Sequence, residues 1–382
     1  MPETQVLASD PGGADTLRAS GADHDRRRAQ LERLLADADA DALILGMASH
    51  VAWALCGADL RIQVSSEGAW GYLVVQPERR TVVTWAMDAH RFEEEELASD
   101  TSVVGLRWDE DTPEAVARRM AGEGRVLSDC GLPGTEPAAG LLRAAQYPLT
   151  DLELRREEWI ASRLDEHCRA TAEAIEPGMT EHEVAARLTA ACLVDGLAVD
   201  EMMIGFDERV RRYRHPVART GRLLQLAFLH PTVNRWGQHV ICSRMVSLGE
   251  PPQELCERFT AVSAIEAWSV RLTRPGTTYA ELLAGQQELY ARLGYPDAWR
   301  DHWQGGQTGF ALCEIAHVDR PSEAMPERGL YNWFITLPGA KKEETTLSSP
   351  DGGRILTLSG AWPTQLVDTD QGSVEVAGLL VR

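Results

Sequence analysis

The sequence has no surplus of basic residues. Its 58 Asp and Glu outnumber its 38 Lys and Arg, giving a formal net charge of −20 and a pI of about 5.0. Nucleic-acid backbones and anionic lipid surfaces are recognised by clustered positive charge, so both kinds of partner are disfavoured. The acidity suits a cationic or zwitterionic ligand, and suits an ordinary acidic protein equally well. No apolar run reaches the ~18 residues of a membrane span. No C-x-x-C pair occurs, and the seven cysteines (Cys56, Cys130, Cys168, Cys192, Cys242, Cys256 and Cys313) are odd in number and widely spaced. That pattern points to a reducing, cytoplasmic compartment rather than a disulfide framework. Residues 1–25 are polar and rich in Gly, Ala and Asp, without an apolar core, so a disordered lead-in is expected there rather than a targeting segment.

What is present is ordinary globular texture. The chain has 382 residues, 44% of them apolar and 25% charged, which suggests two domains at about 100–200 residues each. From Arg26, RRRAQLERLLADADADALILG reads as an amphipathic helix followed by an apolar strand. HVAWALCG, GYLVVQ and TVVTWAM read as further strands, PEAVARRMAGEG as a helix and RVLSDCG as a strand. Helices alternating with strands over residues 26–150 predict a small α/β domain.

After residue 150 long helical stretches dominate, and one pattern occurs twice. PGMTEHEVAARLTAACLVDG begins at Pro177 and PGTTYAELLAGQQELYARLG at Pro275, an offset of 98 residues. Each places Thr and Glu in capping-box register, Thr180 with Glu183 and Thr278 with Glu281. Each follows a long helical segment and precedes strand-like ones. Two copies are too few for a solenoid. They predict a pseudo-twofold domain over residues 151–382, a curved sheet covered by two helix pairs.

These features resemble the creatinase/prolidase/methionine-aminopeptidase superfamily. The resemblance rests on HVAWALCGADLR, the helix pair from Asp151, YRHPVA, RWGQHVICSRMVSLGEPP, HWQGGQTGFALCE and GAKKEETTL, in family order. It implies an α/β (α+β) fold, with a creatinase-like N-terminal domain before a duplicated pita-bread domain. Metal-binding members hold two divalent ions with two Asp, one His and two Glu. In this chain those positions match His230, Ile241, Gly306, Phe334 and Glu343. One carboxylate remains of four. Ile and Gly offer no donor, so the resemblance implies a dismantled metal centre and no cofactor.

Metal-free members use a histidine as acid and base, and His215 matches it. An imidazole with an ordinary pKa of about 6.5 exchanges protons near neutrality. Glu343 would orient that histidine, hold a water or pair with a substrate cation, and Glu314 is a second carboxylate candidate. Gly305 and Gly306 form a loop in which the lost metal ligand would leave a hole for substrate, or simply a tight turn. His302 and Trp303 flank that loop as candidate lining residues, with His230 beside them. Arg214, within an arginine cluster around His215, is a candidate partner for a substrate carboxylate. Arg244 ends the family's Asp-x-x-Arg pattern, and Arg61 lies on the loop that related dimers lend to a partner's site. Cys313 reads as a nucleophile or as a small core residue.

Three functions follow. The first is a metal-independent enzyme on a small amino-acid-like substrate (zwitterionic, guanidino or amidine) that hydrolyses a C–N bond; a lyase or cyclase would use the same groups. The second is a non-catalytic pseudo-peptidase that binds a ligand or a protein. The third is a metallo-aminopeptidase of Xaa-Pro type. The resemblance also implies a homodimer.

Overall fold

The computed structural model describes residues 13–382. Order begins before Arg26. Ser20 caps the helix Gly21–Asp37: its hydroxyl accepts from the Asp23 amide, and the Asp23 carboxylate accepts from the Ser20 amide. The short turn Ala14–Leu17 is tied down by the Arg156 guanidinium, which donates to the Leu17 carbonyl at 3.0 Å. Residues 13–25 of the expected disordered lead-in are therefore structured, and residues 1–12 lie outside the described residues.

The first half is a six-stranded sheet in the order Ser102–Leu106, Arg79–Trp85, Gly68–Gln76, Ala42–Met47, Val126–Ser128, Glu136–Pro137. Ala42–Met47 runs antiparallel to Gly68–Gln76 and parallel to Val126–Ser128. Its first five residues are buried, as expected of an interior strand covered on both faces. The segment HVAWALCG is not the expected strand. Its first five residues belong to the helix Ala48–Ala54, of which Val51 to Ala54 are all buried. A short apolar run carries no period that separates a buried strand from a buried helix.

The second half carries the repeat. The helix Asp151–Glu173 is followed by Glu181–Val194, and Gln253–Leu272 by Tyr279–Arg292. Thr180 and Thr278 both have φ −86° and ψ 155°, and both close reciprocal capping boxes. Thr180 bridges to Arg222 and Thr278 to Ala324 in the same antiparallel sense. The first helix pair accompanies the strands Leu380–Val381, Arg244–Ser247, Leu226–Arg235 and Ala198–Phe206. A second sheet follows the second pair in the order Gly306–Thr308, Leu330–Asn332, Thr345–Leu347, Arg354–Ile355, and the helix Gln253–Leu272 packs on the hairpins 335–342 and 364–377. The two half-sheets are stitched where Ile241 to Ser243 meet Glu343 to Thr345. The Ser243 amide donates to the Glu343 carbonyl at 2.7 Å, and the Thr345 hydroxyl accepts from the Ile241 amide at 2.9 Å.

Equal caps should have equal energetic weight. Thr180→Ala and Thr278→Ala are each expected to destabilise the protein by about 1 kcal/mol, and the double variant by about the sum. Urea denaturation of the three variants checks this. An effect confined to one copy would show that the second motif is only similar in sequence.

Candidate active site

The seam between the half-sheets is chemically unusual. Lys341, Lys342, Glu343 and Glu344 are consecutive charged residues, a run expected to be solvated, yet they are only 6%, 1%, 2% and 2% exposed. Lys341 and Lys342 belong to the hairpin strand Ala340–Lys342, which pairs with Ile335–Leu337. Extended backbone sends alternate side chains to opposite faces. Lys341 and Glu343 turn to a cavity, while Lys342 and Glu344 turn into the protein.

The inward pair is held by fixed charges. Lys342 donates to the Ala377 carbonyl, lies 3.5 Å from Glu266 Oε2 and sits 4.7 Å over the Phe259 ring. Glu344 Oε1 accepts from Arg244 Nη1 at 2.6 Å, and Arg244 Nη2 donates to Asp165 Oδ1 at 2.9 Å. Arg244 is fully buried in this network. It belongs to the framework behind the site, not to a surface that substrate reaches.

The cavity has a volume of about 570 Å³. Its polar lining includes Glu201, His215, His230, His302, Lys341 and Glu343, and its apolar lining includes Met202, Met203, Val217, Ile241, Leu312 and Phe334. Lys341 Nζ lies 2.9 Å from Glu343 Oε2 and 5.9 Å from the Phe334 ring centroid. Burial raises the pKa of Glu343, and the Lys341 charge opposes that rise. His230 is buried, shares a 2.9 Å hydrogen bond with the Ser243 hydroxyl through Nδ1 and stacks on Phe228. Burial, then the positive charge of Lys341, holds its pKa well below the usual imidazole value, so it is neutral at pH 7.

His215 and His302 meet at the cavity edge, Nε2 to Nε2, at 3.0 Å. Their protonation follows from what surrounds them. His302 Nδ1 lies 2.7 Å from the Trp303 carbonyl. A carbonyl only accepts, so Nδ1 carries the proton. Burial, followed by the Lys341 charge, lowers the His302 pKa to about 4, leaving Nε2 unprotonated at neutral pH. His215 must then donate from its own Nε2, which leaves His215 Nδ1 as the basic nitrogen. The pKa of His215 is lowered too, by desolvation first and by Lys341 and Arg214 after it. A neutral imidazole with an assigned free lone pair is what proton abstraction near neutrality requires.

On the outer side, His215, His302 and Trp303 also line a second cavity of about 590 Å³, with Arg214, Trp299, Asp301 and His317. Arg214 reaches Asp301 at 3.4 Å there. The imidazole pair thus borders both an inner and an outer chamber.

Of the expected site residues, the structure brings His215, His302, Trp303, His230 and Glu343 to one cavity, with Arg214 on its outer neighbour. Glu314 instead pairs with Arg320 at 2.9 Å and Arg143 at 3.3 Å, away from the cavity wall. Arg61 is engaged by Asp59 and donates to Asn234 Oδ1 at 2.9 Å. Gly306 leaves no hole. A Cβ there would lie 1.7 Å from the Glu314 carbonyl oxygen, and one on Gly305 would lie 2.1 Å from the Asn332 carbonyl oxygen. Both glycines exist because backbone packs against them. Cys313 lines the cavity, but burial and nearby carboxylates push its thiol pKa up, so it is no thiolate nucleophile.

Two charged lining residues were not among the sequence candidates, Lys341 and Glu201. A signal for the first existed: Lys341 and Lys342 are the chain's only lysines, every other basic residue counted with them being arginine. No such signal marks Glu201.

The residues do not fit a dinuclear metal centre. Among the described residues no group of three or more His, Cys, Asp or Glu side chains converges as metal ligands do. His230 Nε2 and Glu343 Oε2 are 3.8 Å apart, and an ammonium is paired with that same carboxylate oxygen. The Ile241 and Phe334 side chains complete the wall.

The model of metallopeptidase family M24 matches residues 159–322. The dipeptidase PepE from Mycobacterium ulcerans superposes with a TM-score of 0.75 at 18% identity, covering 95% of this chain and 99% of its own. The prolidase from Pyrococcus horikoshii superposes with a TM-score of 0.73 at 18% identity, covering 87% and 98%. The N-terminal domain of the FACT complex subunit SPT16 from chickpea does so with 0.64 at 11%, covering 88% and 97%. No curated protein matches. Residues 159–322 thus match the M24 metallopeptidase family model, and the chain with its duplicated helix pairs shares the pita-bread fold of these solved structures.

Proposed function

We propose that this protein is a metal-independent hydrolase of a C–N bond in a small amino-acid-like molecule, with His215 as general acid and base. The observation that carries this reading is the His215–His302 pair, whose contacts leave the basic lone pair on Nδ1 of His215, a residue that lines a substrate-sized cavity. In this reading Nδ1 takes a proton from the attacking water and returns it to the leaving nitrogen. Glu343 and Glu201 receive the positive end of the substrate, and apolar side chains exclude bulk water. The site is that of a small-molecule enzyme, and the family resemblance extends the proposal to a homodimer. Among the described residues no helix is long and apolar enough to cross a membrane.

The metallo-aminopeptidase reading makes the opposite prediction on one measurement. Protein purified without chelator is expected to carry well under one equivalent of Mn, Co, Zn or Fe, and none of these ions should raise its unfolding temperature. Turnover of zwitterionic, guanidino and cyclic amidine substrates, followed by ammonia or amine release, should survive EDTA. Near-stoichiometric metal together with activity that EDTA abolishes would establish the peptidase instead. Tight binding of a panel member without turnover would favour a non-catalytic binding protein.

A further inference from the structure

The chain uses arginine for nearly all of its positive charge and spends its only two lysines side by side at this seam. They do different things. Lys342 is locked by the Ala377 carbonyl, Glu266 and the Phe259 ring. Among the described residues Lys341 has one ion-pair partner, Glu343, and it lines the cavity. An ammonium has three donors and no acceptor, and a carboxylate oxygen at 2.9 Å occupies one direction. The neighbouring walls, Met202, Met203, Ile241, Leu312 and Phe334, offer no strong hydrogen-bond acceptor from their side chains, and Glu201 is the other carboxylate of the lining besides Glu343.

We propose that Lys341 is the docking cation of the cavity, and that the substrate is a carboxylate-bearing molecule with an apolar body. A carboxylate approaching Nζ would gain a charge-assisted hydrogen bond beside apolar walls, where such bonds are stronger than in open water. Its hydrocarbon portion would lie against the methionines and Phe334. A compact ammonium on a flexible stem suits this task better than a planar guanidinium, because it can turn to a new acceptor without leaving Glu343. A purely cationic ligand meets the opposite situation, since it must share Glu343 with Lys341 or rely on Glu201 alone. The charge of Lys341 is also felt at His215, His230 and His302, which places the docking point within electrostatic reach of the imidazole pair. The inference rests on the proposed function for its substrate class, but it is tested by binding alone.

The experiment compares three probes of one shape: 3-phenylpropionate, 3-phenyl-1-propanol and 3-phenylpropylamine. Calorimetric titration of the full chain is expected to show the acid binding at least about tenfold more tightly than the alcohol, with the amine weakest. Lys341→Met should abolish the preference for the acid, and Lys341→Arg should keep part of it. A measurement on the unaltered sequence guards against a variant that fails to fold. Incorporation of ¹³C-lysine into the native protein labels only Lys341 and Lys342, because the chain has no other lysine. The Lys341 Cε resonance should move on adding the acid and stay fixed on adding the alcohol. Equal binding of acid and alcohol, tightest binding of the amine, or an unmoved Lys341 resonance would overturn the proposal. Binding by His215→Ala separates the two readings. An acid preference retained there, with no turnover of any compound by the wild type, would sink the hydrolase and leave the docking cation standing.

Discussion

Arg244→Met is expected to cost about 3–5 kcal/mol of stability, although methionine fills much of the same space. Arg244 is completely buried, and its guanidinium is the common partner of Asp165 and Glu344, both equally buried. It also donates to the Ser243 and Thr357 carbonyls and lies 5.4 Å from the Trp362 ring. Replacing a whole buried ionic network with apolar residues is often neutral, but removing the cation alone strands two carboxylates. Asp165 keeps the Ser359 amide and hydroxyl as donors. Glu344 keeps the Thr357 hydroxyl and is the more exposed to loss of its cation. Burial raises the Glu344 pKa, and Arg244 is the first group that opposes the rise. Without Arg244 the carboxyl should be neutral in the folded protein up to higher pH and ionised in the unfolded chain. The folded state then holds the extra proton, so the variant's stability should fall as pH rises above the ordinary carboxylate range. Urea denaturation at pH 6 and pH 8.5 checks both the size and the slope. A loss below about 1 kcal/mol at both pH values would show that the network contributes little and that Arg244 is free for another task.

How far the sequence predicts the molecule depends on whether a feature is local. Capping boxes are local: Thr180 and Thr278 announce two helix starts with equal spacing, and the fold repeats there. The helix at Gly21 was hidden by a polar composition that looked disordered, although Ser20 and Asp23 spell a cap. HVAWALCG misleads for the opposite reason, because burial of consecutive residues from Val51 to Leu55 erases its period. The site is less legible, since facing depends on tertiary pairing. Glu343 and Glu344 are neighbours in sequence, yet one faces the cavity and the other an internal arginine. The same alternation separates Lys341 from Lys342. Gly306 could be matched to a lost metal ligand, but only coordinates reveal that the Glu314 carbonyl already fills its side-chain direction. Glu314 itself follows the loop in sequence while turning its side chain to Arg143 and Arg320.

His215→Asn should lower kcat by about 10²–10⁴-fold on whichever panel compound the wild type turns over, with KM changed far less. Asparagine keeps a donor for His302 but cannot take and return a proton. His302→Phe should lower kcat less. It leaves the His215 imidazole in place and removes only the acceptor that selects the tautomer with Nδ1 unprotonated. The pH profile tests the same assignment independently. Because desolvation and the Lys341 charge lower the His215 pKa, the base should be fully available at pH 7, and the acid limb of kcat/KM should lie below about 6.5. Lys341→Met removes the second of those causes and should move that limb upward, toward the ordinary imidazole value. At lower pH a second loss follows. The unfolded chain protonates His302 near 6.5 while the folded protein resists until about 4. The unfolded state then binds more protons across that window, so stability should decline as pH falls from 6.5 to 4. Protonation of His302 Nε2 at the bottom of the window also removes the acceptor that His215 needs, so the activity limb should steepen there. A profile whose acid limb sits above 6.5, or which His215→Asn leaves unchanged, would assign the proton transfer to another group.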